Sequence, residues 1–178
     1  MKPDRPTRPK PPFQRDGLER LALFYAGRYA TTRAKLAAYL RRKLGERGWA
    51  GDGAPPVDAI VEHFAELGYV DDAAFARART TSLQRRGYGE RRIRHALTAS
   101  GIEPEDGAAA WAEAADGSWA AALRFAERKR IGPYAREPLD RPARERAFAA
   151  MIRAGHTLTD VRRIVNAPPG EIPIPDNM

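Results

Sequence analysis

Seven arginines and a single acid, Glu90, fall between Arg77 and Arg94, and a Gly87-Tyr88-Gly89 break divides them. Guanidinium groups at that density attract a polyanion or an acidic protein surface, and their planar donor forks suit phosphate and carboxylate. Groups able to make and break bonds are scarce by comparison. Cysteine is absent, which removes disulfides, thiolate nucleophiles and cysteine-based zinc sites. His63, His95 and His156 are scattered along the chain. His63 and Glu66 share the i, i+3 spacing of a helical metal motif, but a second ligand cluster is missing. Asp71 and Asp72 are adjacent, and adjacent helical positions do not aim at one target. They read as a helix start, where a carboxylate accepts backbone N–H bonds and faces the positive end of the helix dipole. Gly87-Tyr88-Gly89 lacks the Lys-Ser/Thr ending and the preceding strand of a phosphate loop. No catalytic residue, metal or cofactor is expected, and the chain does not read as an enzyme.

The elements that must hold these arginines are helices. The apolar residues are mostly Ala and Leu, with few of the β-branched and aromatic types that favour strands. Apolar spacing predicts a first helix over about 16–28 (Leu18, Leu21, Ala22, Tyr25) and a second starting near the N-cap Thr32 (Leu36, Leu40, Leu44). A third begins at Pro56 and buries Val57, Ile60, Val61, Phe64 and Leu67, with Gly68 as its stop. A fourth begins at Asp71 or Asp72, with Phe75, Ala78 and Leu83 inward. The fifth, after Gly89, puts Ile93, Ala96, Leu97 and Ser100 on one face and closes at Gly101. Further helices are predicted over 104–115 (Ala108, Trp111), 118–130 (Trp119, Leu123, Phe125) and 141–153 (Ala147, Met151, Ile152). A short last one is capped by Thr157 and packs Val161, Ile164 and Val165.

Nine helices in sequence invite a search for repeats. Aligning Leu36/Leu40 with Ile93/Leu97 and Ala147/Met151 also superimposes Gly101 on Gly155, so the unit is three helices in about 50–55 residues. The expected organisation is an all-α tandem array of three three-helix repeats. A disordered Pro/Arg-rich arm spans 1–16, repeat 1 spans 17–69, repeat 2 spans 70–116, a degenerate repeat 3 spans 117–166 and a disordered tail spans 167–178.

Net charge is +8 with a pI near 10.2. The first 16 residues contribute a net of +3, so the remainder is itself basic. Each repeat has one basic cluster: Arg41, Arg42 and Lys43; then Arg85, Arg86, Arg91, Arg92 and Arg94; then Arg128, Lys129 and Arg130. These eleven residues are the candidate contacts for phosphates or acidic partner loops. Tyr88 and Tyr69 are candidates for base stacking, although a hinge or core role fits them better. No apolar run approaches the ~20 residues that cross a bilayer, and the N-terminus has no apolar core of a secretory signal. A cytoplasmic monomer with no membrane contact is the expectation.

The run Gly68-Tyr69-Val70-Asp71-Asp72 with Phe75-Ala76, followed by Arg86-Gly87-Tyr88-Gly89, Arg92-Ile93, Leu97 and Gly101-Ile102, resembles the RecX family. A weaker match covers Ala22, Leu23, Arg28, Thr32, Leu36 and Leu40, and the resemblance spans about 18–166 overall. It implies a curved, elongated helical protein lying in the groove of a RecA–single-stranded DNA filament, where it limits growth, ATP hydrolysis and strand exchange. Contact with single-stranded or double-stranded DNA is also implied as an option. The alternative from the residues alone is a helix-turn-helix DNA-binding protein. Against it, 89–100 offers only Arg, His95 and Thr98 to read bases, and no dimer helix is evident.

Overall fold

A computed structural model describes residues 11–175, and among these nine α-helices and one 3-10 turn account for the regular structure. The chain divides into two compact units, with the boundary between Asp72 and Ala73.

The first unit contains α1 (Arg15–Arg28), α2 (Arg33–Arg47) and α3 (Val57–Glu66). Leu18 and Ala22 from α1, Leu36 and Leu40 from α2, and Ile60, Val61 and Phe64 from α3 form one buried cluster. Each fully buried Leu or Ile in such a cluster contributes about 1.5–3 kcal/mol. Thr32 caps α2 as expected, its hydroxyl accepting the Lys35 N–H at 3.1 Å. Asp72 reaches back 39 residues to the same helix end: its Oδ1 accepts the Arg33 N–H at 2.9 Å, and the side chain is buried. A carboxylate expected only to open its own helix thus also satisfies an orphan donor of α2.

Two expectations for the ends are corrected. Of the arm expected to be disordered over 1–16, residues 1–10 lie outside the described residues, but Pro11–Gln14 are tied down. Phe13 is buried in the first cluster and forms an isolated bridge with Trp49, donating from its N–H to Gly48 O (2.9 Å) and accepting from Ala50 N–H (2.8 Å). The Arg47 guanidinium lies over the Phe13 ring at 4.2 Å and donates to Pro11 O. The tail was placed at 167–178 as disordered; 176–178 lie outside the described residues, but the rest is held. Gly170 N–H donates to Pro133 O (2.8 Å) and Arg163 donates to Ile174 O (2.6 Å).

The second unit contains α4 (Asp72–Arg85) beyond its first residue, α5 (Glu90–Thr98), α6 (Pro104–Asp116), α7 (Ser118–Lys129), α8 (Arg141–Arg153) and α9 (Leu158–Asn166), with the 3-10 turn at Gly132–Tyr134. Two apolar clusters lie here, one from α4–α6 and one from α7–α9, and Tyr88 packs against both. The face of α4 differs from the expected one. Ala76, Thr80 and Leu83 are buried, whereas Ala78 is exposed and Phe75 only half-buried. On α6 the buried positions are Gly107, Ala110 and Ala114, not Ala108, and Trp111 is half-buried.

Helices α5 and α8 end alike. Gly101 and Gly155 both take a left-handed φ (73° and 94°), and the residue after each donates to the carbonyl five back: Ile102 to Leu97 (3.2 Å) and His156 to Met151 (3.3 Å). This is the Schellman pattern, which satisfies the last carbonyls of a helix.

Candidate partner and nucleic-acid interface

The α4–α5 turn is gripped by the turn after α8. Gly89 N–H donates to Ala154 O (2.9 Å), Arg91 N–H donates to Gly155 O (3.2 Å), and His156 Nε2 donates to Gly87 O at 3.1 Å. The approach needs glycine on both sides: a Cβ on Gly89 would collide with the Gly155 carbonyl, and one on Gly155 would stand 2.5 Å from Arg92 N. His156 is 2% exposed, its ring packs edge-on to Phe125 at 5.6 Å, and its Nδ1 is buried without a protein partner. Burial pushes its pKa down, opposed by the Gly87 carbonyl and the charge of Asp160. A neutral ring with its proton on Nε2 fits that geometry.

Around this locked turn the basic residues open outward. Arg85, Arg86, Arg91 and Arg92 are exposed. Arg86 and Arg92 lie over the Tyr88 ring, at 5.3 and 4.7 Å, each such contact contributing about 0.5–1 kcal/mol. Stacking fixes the guanidinium plane while leaving its N–H edge free to meet an anion. Arg94 differs: it pairs with Glu90 at 2.6 Å and covers Trp111 at 5.1 Å.

Helix α7 brings the third basic cluster to the same turn. Its Arg124 donates to Gln84 O (3.2 Å), one residue before Arg85, and Gln84 in turn donates to Glu113 O (2.9 Å). Phe125 backs onto Gly87, and Arg128, one helical turn beyond Arg124, lies over the Phe125 ring at 5.6 Å. Lys129 and Arg130 follow, both exposed, with Arg130 ending the helix at φ 55°. Among the described residues, Arg85, Arg86, Arg91, Arg92, Arg128, Lys129 and Arg130 have no carboxylate within ion-pair distance. Arg124 and the Phe125–Arg128 turn thus bring the start of the third cluster beside the second.

The first cluster is partly neutralised in its own unit. Arg41 pairs with Asp58 at 2.5 Å, while Arg42 (2.7 Å) and Lys43 (2.6 Å) share Glu46. The hydrogen bond from Lys43, with the charges of Lys43 and Arg42, holds the Glu46 carboxyl below its usual range.

Arg124, Gln84 and His156 were not singled out as site residues from the sequence. His156 carried a signal: the 54-residue register that superimposes Gly155 on Gly101 puts it where repeat 2 has the buried Ile102. His63 and Glu66 face each other at 3.8 Å on the surface, and no group of three His, Asp or Glu side chains gathers among the described residues.

Comparison with known proteins agrees with this architecture. Residues 71–110 match the second three-helix domain of RecX. The chain is 30% identical over 175 residues to the regulatory protein RecX of Myxococcus xanthus, covering 94% of this chain and 91% of that one. It is 34% identical over 123 residues to the regulatory protein RecX of Xanthomonas citri, covering 69% of this chain and 72% of that one. The crystal structure of RecX from Lactobacillus salivarius superposes with a TM-score of 0.61 at 16% identity, covering 85% of this chain and 94% of that chain, a likeness of fold.

Proposed function

The chain belongs to the RecX family of regulatory proteins, and from that premise we propose that it binds the RecA–single-stranded DNA filament and restrains its growth, ATP hydrolysis and strand exchange. It is a regulator without chemistry of its own. The observation that carries the reading is the basic surface around the Tyr88 turn of the second unit, where the stacked arginines and the α7 cations have no carboxylate partner among the described residues. Such a surface meets phosphates or acidic loops of a filament through charge-assisted hydrogen bonds, with affinity that falls as salt rises. The protein acts as a monomer in the cytoplasm, where the recombinase works; none of the helices described is long and apolar enough to cross a membrane.

The helix-turn-helix alternative turns on the start of α5. That motif offers the N-terminal residues of its second helix to base edges. Here the backbone N–H groups of Gly89 and Arg91 serve Ala154 and Gly155, and the side chains left exposed are the cations Arg91 and Arg92, which suit phosphates, with no Asn or Gln along α5.

The single-stranded-DNA-dependent ATPase of the cognate recombinase, titrated with this protein, tests the proposal. Inhibition well below stoichiometric amounts is expected. An ATPase unchanged by excess protein overturns it.

A further inference from the structure

The first unit carries a second surface of a different kind. Phe24 and Tyr25 near the end of α1, Tyr29 just past it, and Lys35, Tyr39, Arg42 and Lys43 along one side of α2 line an open groove of about 760 Å³. Its floor is the Tyr25–Tyr39 pair, stacked with ring centroids 4.2 Å apart and planes 15° from parallel. Phe24 and Tyr29 are 59% and 49% exposed, two large rings left open to water. Guanidinium groups frame the rings: Arg42 lies 5.5 Å over Tyr39 and Arg28 5.8 Å over Tyr29. Arg42 and Lys43 share one carboxylate, Glu46, so that pair keeps a surplus positive charge.

We propose that this groove binds single-stranded nucleic acid, with unpaired bases stacking on Phe24 and Tyr29 and the backbone phosphates meeting Arg28, Arg42 and Lys43. Aromatic rings interleaved with cations are what a single strand needs. Every base has a face to stack, and every linkage carries a negative charge. A duplex buries its base faces in its own stack and cannot use the rings. The chain's own Pro-rich arm is an unsuitable occupant, because residues 1–10 hold four cations and one acid and would be repelled. The ion pairs that occupy Arg42 and Lys43 are exposed and contribute little, so a phosphate can displace Glu46. The groove belongs to the first unit and the Tyr88 turn to the second, and the proposal does not rest on the recombinase reading.

The test uses the whole protein without recombinase. Fluorescence anisotropy of a short oligothymidylate is measured at low salt, against an abasic strand of equal length and a duplex. The reference protein has Arg85, Arg86, Arg91 and Arg128 replaced by Ala, so that the second unit contributes little. In that background, Phe24→Ala with Tyr29→Ala should weaken oligothymidylate binding roughly tenfold to hundredfold while leaving the weak abasic binding unchanged. Both side chains are exposed, and an unchanged thermal melt will show that the variant folds. Photo-crosslinking of the wild-type protein to an iodouracil strand should mark Phe24 or Tyr29. Equal affinity for the abasic strand, equal affinity for duplex, or an unaffected double variant overturns the proposal. So does a groove that takes an acidic peptide but no oligothymidylate, or crosslinks confined to the second unit.

Discussion

The two basic stretches, Arg41–Lys43 in α2 and Arg85–Arg92 across the α4–α5 turn, look alike in composition and end in opposite electrostatic states. In α2 the cations lie within a continuous helix, and Glu46 at i+3 and i+4 takes up Lys43 and Arg42 while Asp58 takes up Arg41. At the α4–α5 turn Arg86 lies between helices, and Arg85, Arg91 and Arg92 have Thr81, His95 and Ala96 rather than an acid one helical turn away. Arg94 is paired because Glu90 stands four residues before it on the same helix. The lesson is that a run of arginines sets a charge count, while the acids one helical turn away or on a packed neighbour decide how much of that charge is answered.

The strongest way to break the contrast is to unseat the turn that holds the second stretch. Gly155→Ala forces a side chain into a left-handed backbone and against Arg92, and should cost about 3 kcal/mol or more of the second unit's stability in denaturant unfolding. A cost near zero would mean that the two turns do not lock. Next, replacing Arg85, Arg86, Arg91 and Arg128 with Ala should remove most ATPase inhibition and flatten its salt dependence, with helicity by circular dichroism intact. Replacing Arg41 alone should change little, because Asp58 already answers it. If the two replacements act equally, pairing does not separate the stretches.

A smaller effect is expected from pH. Burial depresses the folded-state pKa of His156, so the unfolded chain takes up the proton first. The stabilisation is complete above the ordinary value of 6.5 and is lost as pH falls below it toward the folded-state pKa. His156→Leu, which imitates Ile102, should remove that dependence from urea midpoints measured across this window. A retained slope would place the titration elsewhere. The smallest effect sharpens the comparison from the other side. Glu46→Gln frees Arg42 and Lys43 and should strengthen oligothymidylate binding by up to about fivefold, since exposed pairs contribute little.

Much of the helical architecture was legible because periodicity and caps are local. Thr32 and Thr157 cap where their spacing to the first apolar residues says they should. The misplaced faces have a common cause. On α4 the inward stripe passes through Thr80, fully buried, and on α6 through Gly107, so it runs along residues that a hydrophobicity count ignores. With alanine on several sides of each helix, Ala78 and Ala108 offered no contrast to Ala76 and Ala110. The aromatic groove was missed for a related reason. Tyr25 and Tyr29 sit at i, i+4, as do Lys35, Tyr39 and Lys43, but one helix's stripe gains meaning only when it faces the other's.

The sequence by itself determined the class of the molecule: helices with few strand formers, no cysteine, a basic surface and a glycine-punctuated register that repeats every 54 residues. Those properties follow from composition and from spacing along one chain. Only the tertiary structure decided which cations are spent on local carboxylates, that Arg124 and Arg128 join the Tyr88 turn, and that a histidine fills the position of Ile102 to hold Gly87. Such facts depend on residues up to 69 positions apart meeting at hydrogen-bond distance. That meeting is set by packing and close backbone approach, which no local pattern encodes.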